Sequence, residues 1–230
     1  MPLSKSNGNI EPPVQAKHQR RKVERPGELL DAALDLFVEK GFAATHVEEI
    51  AKLAGVSKGT LFLYFTSKEE LLKAVVRKNM SGCFHEWNAE FESFQGSTAD
   101  LLRYCITAWW QCIGSAKVSG VIKLVMSEAR NFPELTAFYE HEVMQPGNKL
   151  IARVLQRGVD RGEFHPIDMK YGVYVVLAPL LFLATWKHSF GTCGAQLIPE
   201  EYIAVQLEAI LNGLSIRDAP SHSSQKTMAP

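Results

Sequence analysis

The stretch Thr45-His46-Val47-Glu48-Glu49-Ile50-Ala51-Lys52-Leu53-Ala54-Gly55-Val56-Ser57-Lys58-Gly59-Thr60-Leu61-Phe62-Leu63-Tyr64-Phe65 has the pattern of two short helices meeting at a corner. Thr45 is placed as an N-cap, and Glu48 three residues later completes a capping box that satisfies two unpaired N–H groups of a helix start. Val47, Ile50, Ala51 and Ala54 recur at i, i+3, i+4 and i+7, which puts them on one helix face. Gly55 ends that helix, because a sharp turn needs a residue that enters φ > 0 without steric penalty. Val56 plugs the gap between the helices, Ser57 caps the second one, and Leu61 and Phe65 bury its inner face. Ala51 is small where the helices cross. Lys58, Gly59, Thr60, Leu63 and Tyr64 are left facing outward, as in a helix-turn-helix whose second helix enters the major groove.

Gly55-Val56-Ser57-Lys58-Gly59 also matches G-x-S-x-G, the turn that presents a nucleophilic serine in hydrolases. That turn requires a strand before it. Here a helix pattern precedes Gly55, so a serine hydrolase using Ser57 is the disfavoured alternative.

At 230 residues with 46% apolar residues, the chain has material for one large domain or two small ones and for a substantial core. Its formal net charge is zero, but residues 1–80 carry 13 Lys and Arg against 10 Asp and Glu, leaving 12 against 15 for the remainder. A basic amino-terminal part fits contact with phosphates. The four cysteines, Cys83, Cys105, Cys112 and Cys193, form no C-x-x-C pair, and no apolar secretory segment opens the chain. A cytoplasmic protein with reduced thiols is expected. Cys105 and Cys112 lie seven apart on one helix face, as two small core residues or as a redox pair. The histidines show no ligand spacing, so neither a metal site nor a cofactor is expected.

Residues 1–25 lack apolar periodicity and hold a basic cluster, Lys17, His18, Arg20, Arg21, Lys22 and Arg25. They read as a disordered arm, either a solvated tail or one that tracks phosphates or the minor groove. A first helix is expected from Glu28, with Leu30, Ala33, Leu34 and Phe37 buried, ending at Gly41. Ser67-Lys68-Glu69-Glu70 caps a further long helix running toward Trp87, and Lys68 lies at its N-terminus, where free N–H groups favour a phosphate.

In order, Gly41-Phe42-Ala43-Ala44-Thr45, Ile50-Ala51, Ala54-Gly55-Val56-Ser57-Lys58-Gly59-Thr60-Leu61, Tyr64-Phe65 and Ser67-Lys68-Glu69-Glu70-Leu71-Leu72 resemble the DNA-binding domain of TetR/AcrR-type transcriptional regulators over residues 25–85. The resemblance implies an all-α homodimer whose amino-terminal helices bind a palindromic operator and whose carboxy-terminal helices bind a small effector. It implies DNA contact at Lys58, Thr60 and Tyr64 and a phosphate contact at Lys68; Thr45, His46, Ser57, Gly59 and Leu63 complete the candidate surface. Two positions depart from the common pattern. His46 stands where Thr or Ser is frequent, and Phe62, where Tyr is frequent, cannot donate a hydroxyl to a phosphate.

The expected organisation is a basic arm over 1–25, a helix-turn-helix domain over 26–85 with its motif at 45–65, a helical effector-binding and dimerisation domain over 86–216, and a disordered tail over 217–230. Ser97-Thr98-Ala99-Asp100 opens a helix through Leu101, Cys105 and Trp109, and Pro133 opens another that Pro146-Gly147 must kink or break. Trp109, Trp110, Met126, Phe138, Tyr139, His141 and Met144 are candidates to line an apolar effector cavity, with Glu128, Arg130 or His141 as polar anchors. The apolar run 171–186 falls short of the ~20 residues of a membrane span and contains Pro179. It reads instead as a helix covered by its own domain and by a second subunit, with a homodimer formed through about 168–188 and 200–214. The resulting reading is a ligand-responsive DNA-binding regulator, a repressor released from its operator by a small apolar or aromatic effector. An architectural, nonspecific DNA binder is the rival.

Overall fold

The computed structural model describes residues 14–191 and 197–216, with side chains from residue 25 onward. Its first helix, α1, spans Val14–Lys40, starting well before Glu28. Residues 14–25 of the expected arm are therefore helical. Lys, Arg, Gln, Glu and Ala are strong helix formers even without an apolar stripe, so absence of periodicity does not mean absence of helix. The rest of the expected arm, 1–13, and the expected tail, 217–230, lie outside the described residues.

Gly41 closes α1 at φ 85°. Helix α2, Val47–Leu53, follows and then α3, Lys58–Phe62. The cap of α2 differs from the expected one by a residue. His46 is the N-cap, and its N–H donates to the Glu49 carboxylate at 3.3 Å. Thr45 is fully buried, its hydroxyl 2.7 Å from the Gly41 carbonyl and 3.1 Å from that of Leu36. Both threonine and histidine have a glutamate three residues on, and the burial of Thr45 by α1 decides between them. At the corner, the Gly55 N–H reaches the Lys52 carbonyl at 3.1 Å and the Val56 N–H reaches that of Ala51 at 2.9 Å, with Gly55 at φ 66°. This is the Schellman closure, which requires a left-handed residue at that point.

Helix α4, Lys68–Val76, runs through a π-turn, Arg77–Ser81, into α5, Gly82–Ser93. Then come α6, Thr98–Trp109, capped by the Ser97 hydroxyl, and α7, Gly120–Glu128. Helix α8, Pro133–Tyr139, passes through another π-turn, Glu140–Met144, into α9, Gln145–Asp160. The disruption expected at Pro146-Gly147 is thus a wide turn just before the proline. Pro146 has no N–H for an i→i−4 bond, and i→i+5 winding keeps the chain helical past it. Helices α10, Met169–Phe190, and α11, Pro199–Leu214, complete the chain. At 22 residues, α10 is long and apolar enough by length and composition to cross a membrane. The helix extends beyond the apolar run 171–186 at both ends and is not too short to span.

One core joins α1, α2, α3, α4, α7 and α8 around Phe37, Phe42, Ile50, Leu61 and Leu71. A second joins α6, α9, α10 and α11 around Leu101, Val154, Phe164 and Leu180. Cys83 of α5 is bonded to Cys112, correcting the expectation of reduced thiols at those positions. Cys105 cannot pair with Cys112, since seven helical residues separate them by about 10 Å along the axis. Its thiol is buried and pushed up to about 12 by desolvation.

The start of α7 is held against α1 and the end of α10. Gly120 lies where a Cβ would collide with Val38, and Lys117 pairs with Asp35 at 2.5 Å. Ser119 donates to the Ala116 carbonyl at 2.7 Å, so its oxygen accepts from His188 Nε2–H at 2.8 Å. Burial, with the Lys187 and Lys123 ammonium groups second, lowers the His188 pKa from its ordinary 6.5. The folded state thus takes up this proton at lower pH than the unfolded chain does. The His188 contribution is complete above pH 6.5 and is lost as pH falls below it. Urea midpoints measured from pH 7.5 to 5.5 are expected to fall less steeply in His188→Gln than in the parent. Among the glycines, Gly55→Ala should lower stability by about 1–2 kcal/mol through its left-handed backbone. Gly27→Ala, in helix with nothing within 4 Å of its added Cβ, should raise stability by about 0.5–1 kcal/mol. Denaturant titration checks both signs.

Candidate nucleic-acid interface and the cavity behind it

Two sites were sought in the sequence, an outward face on α3 and an apolar cavity in the carboxy-terminal half. On α3, Ser57 accepts the Thr60 N–H at 3.1 Å and meets the Thr60 hydroxyl at 2.9 Å. It caps a helix that follows another helix, so the strand-led nucleophile turn is not the geometry present. Leu61 faces inward while Lys58 and Gly59 are exposed, Thr60 is half-buried, and Leu63 is 82% exposed. Tyr64 is half-buried, with its ring against the first core. Lys58 pairs with Glu48 of α2 at 2.5 Å and lies 5.8 Å from the Phe62 ring centre. Its ammonium, by hydrogen bonding, lowers the Glu48 pKa.

Two expected interface residues are placed otherwise. Thr45 lies inside, as described above. Lys68 is turned inward: its ammonium donates to the carbonyls of Phe42 at 2.7 Å, Thr45 at 2.9 Å and Ala43 at 3.3 Å, above the Phe42 ring at 4.5 Å. Desolvation lowers its pKa. All three ammonium protons are engaged, so no donor is left for a phosphate. His46 remains exposed beside the corner.

The apolar cavity encloses about 200 Å³ between α5, α6, α7, α9 and α10. Trp109, Met126, Tyr139 and Met144 line it as expected. Three candidates do not. Trp110, adjacent to Trp109, is turned about 100° around the helix and covers Gly114, where a Cβ would meet its ring. Phe138 faces α4, with Arg77 at 4.8 Å and Lys73 at 5.7 Å from its ring centre. His141 is exposed beside Glu142. The proposed anchors Glu128 and Arg130 also lie outside the wall, whose polar side chains include Tyr139 and Asn148. Phe84 and Trp87 of α5 and Leu177 and Leu181 of α10 complete much of it. Aromatics three apart at Phe84 and Trp87 were the signal available for α5.

The two sites meet through α8. Phe132 packs edge-on against Phe42 at 4.7 Å, beneath the Lys68 ammonium, and Phe138 sits on α4 while Tyr139 lines the cavity.

A family model described as bacterial regulatory proteins, tetR family, matches residues 29–75, and one described as tetracyclin repressor-like, C-terminal domain, matches 95–189. The chain belongs to the TetR family. As such it is a DNA-binding transcriptional regulator. The HTH-type transcriptional repressor KstR2 of Mycobacterium tuberculosis (strain ATCC 25618 / H37Rv) is 29% identical to it over 192 residues, covering 81% of this chain and 92% of that one. The HTH-type transcriptional regulator RutR of Escherichia coli (strain K12) is 27% identical over 176 residues, covering 70% and 74%. Among solved structures, FadR from Bacillus subtilis in complex with stearoyl-CoA shares the fold at TM-score 0.66 and 20% identity, over 81% of this chain and 97% of that one.

In this TetR-family chain the inward placement of Lys68 separates a structural role from a phosphate-binding one. Lys68→Met should lower stability by about 1–3 kcal/mol by taking the lysine donor from the partly buried carbonyls of Phe42 and Thr45. The salt dependence of DNA binding by the folded fraction should not change. Thermal melts combined with a salt titration read both quantities.

Proposed function

We propose that the protein represses transcription as a homodimer, each subunit placing α3 in one half-site of a palindromic operator, and that a small apolar or aromatic effector in the cavity releases it. The half-sites would lie about 34–36 Å apart, one turn of DNA. His46, Ser57, Lys58, Gly59, Thr60, Leu63 and Tyr64 are the residues we assign to this surface. Lys58 and Thr60 would read bases, with Lys58 exchanging Glu48 for the groove.

The observation that carries the regulatory half is the pair Phe138-Tyr139. One side chain is held by Lys73 of α4 and Arg77 of the π-turn that follows it, and its neighbour forms cavity wall. A ligand that moves α8 therefore acts on the helix packed behind the DNA-reading corner, and it shifts the equilibrium only by its difference in affinity for the two arrangements. FadR of B. subtilis, with stearoyl-CoA bound, supports an effector with a long apolar part.

For the dimer, α10 exposes Tyr171, Tyr174, Val175 and Phe182, and Phe182 stacks with Tyr202 of α11 at 6.1 Å. A helix with one face in the core and such a row on the other calls for a protein cover over about 168–188 and 200–214. On this reading α10 is an interface helix and not a membrane span, and the protein works in the cytoplasm. It is not an enzyme, and Ser57 serves as a helix cap.

Operator selection from random DNA tests the assignment. The wild type should enrich one palindrome at about 10³-fold or more over random sequence, and Lys58→Ala or Thr60→Ala should change the bases preferred. Equal affinity for all sequences would support the architectural alternative, and uniform loss in both variants would remove them as base readers.

A further inference from the structure

The polar groups in the cavity wall constrain what it can hold. Tyr139 is 7% exposed and lines the cavity, and its hydroxyl meets no hydrogen-bond partner among the described residues. Its oxygen is not among the fully enclosed atoms left without a partner, which are those of Ser81, Thr98 and Gln206, so it faces open space in the cavity wall and is free to bond what enters there. Trp87 and Trp109 of the same wall can offer only N–H donors, and Asn148 one amide. Burial raises the Tyr139 pKa far above its ordinary value, so the phenol stays a neutral O–H donor at any working pH. Among the described residues, no Lys, Arg, Asp or Glu lines the cavity. The nearest cations on α9, Lys149 and Arg153, lie in a separate surface groove, and Arg153 is already bonded to Asn88 at 2.8 Å and paired with Glu92.

We propose that the enclosed part of the effector is an uncharged apolar group bearing one carbonyl oxygen, as in an ester, thioester or ketone, which accepts the Tyr139 hydroxyl, and that the corresponding free carboxylate is excluded. This rests on the reading of the cavity as the effector site. A hydrocarbon would leave the hydroxyl without a partner. A carboxylate would accept the bond but would carry a charge into a wall with no cation to balance it, at a cost of several kcal/mol. A neutral carbonyl meets both conditions. Any charged remainder of the molecule has to stay outside, past the exposed Met126, Met144 and Tyr174 that also line the cavity. The volume of about 200 Å³ exceeds the roughly 150 Å³ of an engineered apolar cavity that takes benzene, which suits probes of about nine carbons.

Calorimetric titration of the full chain with methyl octanoate, octanoate at pH 8 and propylbenzene tests this, in wild type and Tyr139→Phe. Methyl octanoate should bind the wild type at least about tenfold tighter than octanoate. Tyr139→Phe should weaken the ester by about three- to tenfold, the worth of one hydrogen bond, and leave propylbenzene within about twofold. Octanoate binding as tightly as the ester, or a loss in Tyr139→Phe shared equally by propylbenzene, overturns the proposal while leaving the cavity an effector site. If none of the three binds, the effector reading falls with it. Should Tyr139→Phe not fold, the ester-to-acid ratio of the wild type decides alone.

Discussion

The ammonium of Lys68, held by the carbonyls of Phe42, Ala43 and Thr45, is the constraint from which the rest of the DNA-binding half follows. The turn between α1 and α2 satisfies its carbonyls only in part from within, the Thr45 N–H reaching that of Phe42 at 3.4 Å, and a carbonyl short of donors is costly where it is buried. A lysine from the first turn of α4 supplies the missing donors. It thereby fixes α4 against the turn, and through the turn sets the direction of α2 and the corner at Gly55. Thr45 serves the same turn from within, bonding back to Gly41. The angle at which α3 leaves the domain is thus set by residues that do not themselves face outward.

The same joint is where the second half of the molecule makes contact. Phe42, under the Lys68 ammonium, receives the edge of Phe132, and six residues further on Phe138 of α8 lies beside Lys73 and Arg77. The aromatic anchors of α8 therefore hold α4 at two places. The π-turn that follows α8 is the wide turn that lets Pro146 into a continuous helix, and Tyr139, Val143 and Met144 bring that segment into the cavity wall. Interiors pack too densely to deform smoothly, and Tyr139 of the cavity wall sits beside Phe138, which packs on Lys73 of α4, so a displacement of α8 is felt at α4. The junction of α1, α7 and α10 at Gly120 and His188 gives a second mechanical link between the cavity helix α7 and the amino-terminal domain.

The sequence disclosed these parts unevenly, for reasons that lie in the physics of each residue. Gly41 and Gly55, both at positive φ, fall where turns were expected, because a turn that demands left-handed backbone leaves few other choices. Helix periodicity placed the elements of both halves and the inward and outward faces of α3. Thr45 and Lys68 were misplaced because a threonine at cap spacing and a lysine in a first helical turn have ordinary solvent-facing roles, and only the approach of α1 turns both inward. In the cavity, periodicity told that Trp109, Trp110, Phe138 and Tyr139 were not all exposed, but not which neighbour each one faced. Adjacent residues point about 100° apart on a helix, so Trp109 and Tyr139 reached the cavity while Trp110 and Phe138 went to other contacts. The contribution of α5 was missed because the domain boundary was drawn at residue 85, between Phe84 and Trp87, and the helix runs straight through it.

A crystal structure of the homodimer on its selected operator tests the central claim most directly. The account requires α3 of each subunit in the major groove, centres about 34–36 Å apart, with Lys58 released from Glu48 and Lys68 still bonded to the carbonyls of Phe42 and Thr45. An α3 that lies off the groove, or a Lys68 swung out onto a phosphate while the α1–α2 turn keeps its shape, would contradict it.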